Sequence, residues 1–106
     1  MSGSRTITRD DDRLDNVHPG DILRHDFLIG SEIDLSEVAA GAHITEARLS
    51  AILEAGLPID ADTDLRLARY FGMSEGFFLG LQNDFDIEEA KRALNGELDR
   101  IIPRAA

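Results

Sequence analysis

The stretch from Asp34 to Gly56, DLSEVAAGAHITEARLSAILEAG, constrains the fold more than any other part of the chain. It encodes two short helices with too few residues between them for anything but a tight corner. Asp34, followed three positions later by Glu37, is typical of a capping box at a helix start. Apolar residues then recur at helical spacing and predict one buried face of this first helix, made of Leu35, Val38, Ala39 and Ala42.

The second helix of the corner starts with the same kind of signal. Thr45 is a favourable N-cap residue, and Gly56 is suited to a left-handed cap at the end. The predicted apolar stripe between them consists of Leu49, Ile52 and Leu53. Small side chains at Ala39 and Ala42 let the two helices approach closely at a steep angle. This is the geometry of a helix-turn-helix, whose second helix can lie in the major groove of DNA.

Length and composition limit the number of domains and the kinds of site that the chain can form. A chain of 106 residues is one small domain that buries about two-thirds of its unfolded surface. It contains no cysteine, which excludes disulfides and thiolate metal sites and fits a reducing cytosol. No apolar run approaches the ~18 residues that cross a bilayer, and the first residues lack the apolar core of a secretion signal. We therefore expect a cytoplasmic protein without a membrane partner.

The net charge of −10 is unusual for a DNA-binding protein. Neutralising phosphates supplies most of the non-specific affinity for DNA, so such proteins normally carry a basic surface. An acidic total instead favours solubility, a basic protein partner, or a basic surface too local to show in the sum.

Before the corner, residues 1–16 are polar and predict a flexible N-terminal arm. Pro19 then suits the first turn of a helix that should end near Gly30. Its predicted apolar face is Ile22, Leu23, Phe27 and Leu28. Arg24 lies on the other side of this helix, where it is either a phosphate contact or a plain solvated arginine.

After the corner, Asp60 with Thr63 predicts a fourth helix that ends at Gly72, and Ser74 predicts the start of a fifth. The residues expected to be buried are Leu65, Leu67, Ala68 and Phe71 in the fourth helix, and Phe77, Phe78, Leu81 and Phe85 in the fifth. Aromatic residues dominate burial in small cores, so this cluster is interpreted as core and not as a ligand pocket.

A last helix is predicted from Asp86, with an interruption at Asn95-Gly96. Its apolar stripe is Ile87, Ala90, Leu94, Leu98, Ile101 and Ile102. Such a stripe either folds back on its own core or meets the same stripe of a second subunit. We favour a homodimer, because helix-turn-helix proteins commonly bind two half-sites as symmetric dimers. The predicted organisation is an arm at 1–16, a helix-turn-helix domain at 17–86 and a helical extension at 87–106.

Three blocks together resemble a known family. They are HPGDILRHDFL at 18–28, the corner at 34–56, and DADTDLRLARYFGMSEGFFLGLQNDFDI at 60–87. They are similar to the HigA-type antitoxins, or plasmid-maintenance antidote proteins, a branch of the Xre-like, lambda-repressor-like helix-turn-helix group. The resemblance implies an all-α, five-helix DNA-binding domain that represses its own operon. It also implies that the protein neutralises a basic, RelE-like ribonuclease toxin.

The sequence departs from that family in the corner itself. The family commonly ends the second helix with Asn-Gly-Lys/Arg-Arg, whereas this chain has Glu54, Ala55, Gly56 and Leu57. Leu57 thus stands where a family member often places a phosphate-binding arginine. His43 replaces the glycine usual in the turn, and it adopts a left-handed backbone less comfortably than glycine.

The residues expected to contact DNA are Thr45, Glu46, Ala47, Arg48, Ser50 and Ala51, with Arg24 as a phosphate contact. Glu46 can accept a hydrogen bond from cytosine N4 but repels phosphates, and the alanines offer apolar contact to a thymine methyl group. Arg48 could hold a phosphate or a guanine, or else form a surface ion pair with Glu37 or Asp34. We therefore expect weak, salt-sensitive DNA binding that depends on a dimer or a toxin complex.

Two other classes of function remain. One is an acidic protein-interaction module on the same scaffold, with weak or lost DNA binding. The other is an enzyme, which the sequence disfavours because it lacks an HExxH motif, a phosphate-cradling glycine loop and a nucleophile elbow. The three histidines, His18, His25 and His43, are interpreted as surface or capping residues. No catalytic residue, metal or cofactor is predicted.

Overall fold

The computed structural model describes residues 15–105, and over that range the protein is built from helices without a strand. The helices are α1 (Pro19–Ile22), which continues as a π-helical segment (Leu23–Ile29), α2 (Leu35–Ala42), α3 (Glu46–Glu54), α4 (Ala61–Phe71), α5 (Phe77–Leu94) and a final 3₁₀ turn (Glu97–Arg100). The predicted all-α fold with a helix-turn-helix is confirmed. The predicted N-terminal arm lies outside the described residues except for Asp15 and Asn16.

Three helices begin at the residues that the sequence indicates. Asp34 Oδ1 accepts a hydrogen bond from the Glu37 N–H (2.8 Å), and Thr45 Oγ1 accepts one from the Arg48 N–H (3.1 Å). Asp60 Oδ1 accepts one from the Thr63 N–H (2.9 Å). Each bond satisfies a backbone donor that the first helical turn leaves free, so local sequence alone fixes these starts.

The block His18-Pro19-Gly20 starts α1 and sets its distance from α3. His18 Nδ1 accepts a hydrogen bond from the Gly20 N–H (2.9 Å), and Pro19 occupies the first helical position. Gly20 is buried, and a Cβ atom built on it would overlap the carbonyl oxygen of Ile52 in α3. The absence of a side chain at Gly20 therefore allows the two backbones to touch.

The corner has the predicted geometry. His43 adopts the left-handed conformation (φ 60°, ψ 44°), and Arg66 Nη1 donates a hydrogen bond to its carbonyl oxygen (3.0 Å). At the other end of α3, Gly56 has φ 74° and the Leu57 N–H donates to the Ala51 carbonyl (3.1 Å). This is the left-handed cap expected from the sequence.

The start of α5 was predicted at Ser74, and that prediction is wrong. The helix begins at Phe77, and its first turn is capped from α4. The carboxylate of Asp64 accepts hydrogen bonds from the N–H groups of Gly76 (2.7 Å) and Leu79 (2.9 Å). Asp64 is only 2% exposed, so a buried charge supplies the cap that Ser74 does not.

The separate helix predicted from Asp86 is also wrong, because α5 runs through this position without a break. Asp86 instead accepts a hydrogen bond from Gln82 Nε2 (3.0 Å), one turn earlier in the same helix. The interruption at Asn95-Gly96 is confirmed, since both residues have positive φ and α5 ends at Leu94. The division into units at 17–86 and 87–106 stays a prediction.

The core lies between the corner, α1, α4 and α5. Its buried apolar residues include Leu23, Val38, Leu49, Ile52, Ile59, Leu67 and Phe78. The ring of Phe78 lies 5.1 Å from that of Phe27 and 6.2 Å from that of Phe71, so these rings pack in the core as predicted. Leu65 and Phe77 were also expected to be buried, and that prediction is wrong, because they are 48% and 37% exposed.

The connection between α3 and α4 is held by a buried amide. Gln82 Oε1, on α5, accepts a hydrogen bond from the Ile59 N–H (2.9 Å). Since both groups are buried, this bond fixes where α4 begins relative to α5. Within residues 15–105, none of the helices combines the length and apolar character needed to span a bilayer.

Candidate nucleic-acid interface

Helix α3 presents one side to the core and leaves the other open. Leu49, Ile52 and Leu53 are buried, and they anchor the helix against its neighbours. The opposite edge carries Glu46 and Ala47, which are exposed, and Ser50 and Ala51, which are half-buried. We call these four residues the α3 edge. Buried anchors on one side and an accessible edge on the other are what a helix needs in order to enter a groove.

Arg48 leaves α3 sideways, toward the start of α4. Its Nη2 lies 2.7 Å from Asp60 Oδ2, and its Nε donates to Thr63 Oγ1 (3.2 Å). The predicted ion-pair partners, Glu37 and Asp34, are therefore wrong, because this side chain points to α4 and not to α2. The pair with Asp60 neutralises a cation that could otherwise face a phosphate.

Arg24 is held in a comparable way on the other flank of α3. Its Nη2 donates to the carbonyl oxygen of Leu53 (3.2 Å) and lies 3.3 Å from Glu54 Oε2. The side chain thus reaches the end of α3, next to the α3 edge, and is not a plain solvated arginine. Both candidate phosphate contacts are already paired with a carboxylate.

One cation of α4, Arg66, is not indicated by the sequence. Arg66 and Arg69 line a cavity of about 390 Å³ beside the corner, together with His43 and Glu75. Their helical spacing, three residues apart, places them on one side of α4, but only the packing of α2 against α4 shows that this side borders the corner.

This arrangement alters the pKa of Asp60. The backbone N–H of Thr63 lowers the pKa of the Asp60 carboxyl most, followed by the Thr63 hydroxyl, and the nearby Arg48 lowers it further. In α4, the hydrogen bond from Arg66 to Asp62 raises the pKa of Arg66, so this side chain keeps its charge.

A pH dependence of stability follows from Asp60. Because its pKa is lower in the folded than in the unfolded chain, its stabilising effect is complete above the pKa of the unfolded state. The effect is lost as the pH falls through the lower pKa of the folded state. Urea unfolding of the wild type and Asp60→Asn at a series of pH values is expected to show a gap at neutral pH that closes in acid. A gap that persists unchanged in acid contradicts this role.

The fold and the α3 edge define a helix-turn-helix protein of the regulator type. No profile of a known protein family matches the chain. Virulence-associated protein I of Dichelobacter nodosus is 34% identical over 82 residues, which are 74% of this chain and 76% of that protein.

Comparison with solved structures identifies the family within this class of helix-turn-helix proteins. A HigA-family addiction module antidote protein from Coxiella burnetii is 30% identical, with a TM-score of 0.77 over 87% of this chain and 100% of that one. A Pseudomonas aeruginosa protein in complex with its operator DNA is 31% identical, with a TM-score of 0.79 over 85% and 96%. The chain belongs to the HigA family of antidote proteins, the antitoxins of toxin-antitoxin systems.

Proposed function

We propose that this protein is an antitoxin that represses its own operon by inserting the α3 edge into the major groove of operator DNA. The observation that carries the proposal is the combination of buried anchors and an open edge on one short helix. The relative that was solved with its operator DNA, at 31% identity, supports the same use of the fold.

The chemistry of the α3 edge suits a limited set of base contacts. Glu46 can accept from cytosine N4, Ser50 can hydrogen-bond to several bases, and Ala47 and Ala51 can touch thymine methyl groups. The Thr45 hydroxyl, at the start of the helix, can donate a hydrogen bond to a phosphate. Few direct hydrogen bonds predict modest discrimination between sequences.

The second partner in the proposal is a basic, RelE-like ribonuclease toxin, which the family resemblance implies. The acidity of the chain supports it, because a net charge of −10 attracts a basic protein and raises its association rate. Toxin binding would add positive charge to the complex and so strengthen its hold on DNA. This coupling offsets the weak electrostatics of the antitoxin alone.

A homodimer is part of the same proposal. Large apolar side chains at the C-terminal end are exposed, namely Ile87, Leu94, Leu98, Ile101 and Ile102. Such a stripe is suited to a symmetric contact that pairs two α3 helices about 34 Å apart, one turn of DNA. Sedimentation of the wild type and Ile101→Asp/Ile102→Asp tests the contact, since the variant is expected to be monomeric.

The paired arginines favour a second candidate function. Arg24 and Arg48 each bond a carboxylate, so neither is free to meet a phosphate without breaking an ion pair. A chain with this surface could serve as an acidic module that binds the toxin and has little affinity for DNA.

A gel-shift titration on the promoter of the chain's own operon distinguishes the two functions. We expect a promoter-specific complex at low salt that tightens when the proposed RelE-like toxin is added. If neither condition gives a promoter-specific complex, the operator-binding function is lost and the interaction module remains.

Charge reversal in the α3 edge gives a more local test. Glu46→Lys removes one repulsive charge and adds an attractive one, so we expect non-specific DNA binding to tighten about tenfold at low salt. The matched control is Asp84→Lys, which makes the same charge change at an exposed position of α5. Equal effects of the two substitutions would mean that only net charge matters and that the α3 edge does not meet DNA.

A further inference from the structure

Two cavities adjoin along the side of α4 that faces the corner. The larger, of about 390 Å³, includes Arg66, Arg69 and Glu75 in its lining. The smaller, of about 170 Å³, includes Thr45, Arg48 and Asp62. Both are bordered by His43 and Arg66, so they are neighbours along α4. We call the two cavities together the α4 groove.

The α4 groove holds one arginine without an ion-pair partner on an otherwise acidic molecule. Three arginines line it, of which Arg48 pairs with Asp60 and Arg66 with Asp62. Arg69 is the most available of the three, since it has no carboxylate partner within residues 15–105. A single unpaired cation of this kind is hidden in the net charge of −10.

Arg66 is fixed in the wall of the α4 groove by two bonds. Its Nε lies 2.6 Å from Asp62 Oδ1, and its Nη1 donates to the His43 carbonyl oxygen (3.0 Å). A guanidinium group has five N–H donors, so three remain for another acceptor. A pre-oriented guanidinium binds a phosphate at a lower entropic cost than a mobile one.

The position of the α4 groove relates it to the α3 edge. Thr45, the N-cap of α3, lines its smaller cavity, and the Thr45 hydroxyl hydrogen remains available because its oxygen accepts from the Arg48 N–H. The N-terminus of a nine-residue helix also carries a partial positive charge that favours an anion. By contrast, the end of α3 carries Glu54 and Leu57, and the nearby Arg24 is already paired with Glu54.

We propose that the α4 groove binds the phosphate backbone of the DNA strand that passes the start of α3, with Arg69 and Arg66 as the phosphate contacts. This inference rests on the proposed function and deepens it. In other family members, basic residues at the end of the second corner helix bind phosphates. This acidic chain lacks them, and the α4 groove would bind phosphates instead.

The test is fluorescence-anisotropy titration of the full chain with two DNA duplexes, its own promoter and a random sequence, over a series of salt concentrations. Arg69→Ala is the informative variant, because its side chain makes no ion pair whose loss would disturb the fold. Arg100→Ala is the matched control, because it removes the same charge from the exposed 3₁₀ turn. Circular dichroism confirms that both variants are folded, and sedimentation confirms that both keep the oligomeric state of the wild type.

We expect Arg69→Ala to weaken binding about fivefold to tenfold at low salt and to reduce the slope of log K against log salt by about 0.9. Arg100→Ala is expected to behave as wild type. If both variants match the wild type, or if the wild type binds neither duplex, the inference is overturned. If the wild type binds both duplexes equally and Arg69→Ala weakens binding to both, phosphate binding by the α4 groove is supported and specific recognition of the operator is contradicted.

Discussion

Replacing Gly20 with alanine is expected to lower the free energy of unfolding by about 3 kcal/mol, at the upper end of overpacking costs. A Cβ at this position would overlap the backbone carbonyl of Ile52, and a backbone atom cannot rotate away as a side chain can. The α1 and α3 backbones must therefore separate, which exposes Leu23 and Ile52 at their contact. Urea denaturation followed by circular dichroism measures the change.

Gly30→Ala is the matched control for Gly20. Gly30 has a right-handed helical backbone (φ −59°, ψ −34°), and the nearest non-local atom to an added Cβ, the His25 carbonyl oxygen, is 3.5 Å away. Alanine should be tolerated there and should stabilise the chain by about 0.5 kcal/mol, because it restricts the unfolded state. Equal stabilities of the Gly20 and Gly30 variants would show that α1 does not contact α3 as described.

The second large effect is expected from Asp64→Ala, which should lower the free energy of unfolding by about 3 kcal/mol. The substitution leaves the N–H groups of Gly76 and Leu79 without their acceptor at a partly buried helix start. It also removes the negative charge from the positive end of α5. Thermal unfolding should show a decrease of more than about 10 °C in Tm.

Asp62→Ala is the matched control for Asp64→Ala. It removes a carboxylate from the same helix without removing the cap of α5. Asp62 lies in the same turn, but it is exposed and bonds only Arg66 within the described part of the chain. Exposed pairs of this type contribute about 0.5 kcal/mol, so the control should stay close to wild type. Similar losses for both variants would contradict the assignment of Asp64 as the cap of α5.

The parts of the fold that depend on neighbouring residues were predictable from sequence. The caps at Asp34, Thr45 and Asp60 and the left-handed position at Gly56 are set within four residues of chain, so residue type reports them directly. The left-handed conformation of His43 was indicated by the family resemblance instead. The spacing of Leu49, Ile52 and Leu53 likewise identified the buried side of α3, and by exclusion the α3 edge.

The parts that failed depend on contacts between distant residues. Ser74 resembles a helix start, but the acceptor that caps α5 comes from Asp64 in another helix. Likewise, Arg48 pairs with Asp60, twelve residues away, and not with the acidic residues of α2. Leu65 matches the apolar pattern of α4 but lies beside the α4 groove. The spacing of apolar residues within one helix does not show which residue of another helix will cap it or pair with it.

Operator binding depends most on contact between the α3 edge and DNA, and an NMR titration tests that contact directly. When ¹⁵N-labelled protein is titrated with a duplex of its own promoter, the amide signals of Glu46, Ala47, Ser50 and Ala51 are expected to shift most. The amide signal of Asp84 is expected not to shift. A bound complex in which the α3 edge is unperturbed and other helices carry the shifts would contradict the account.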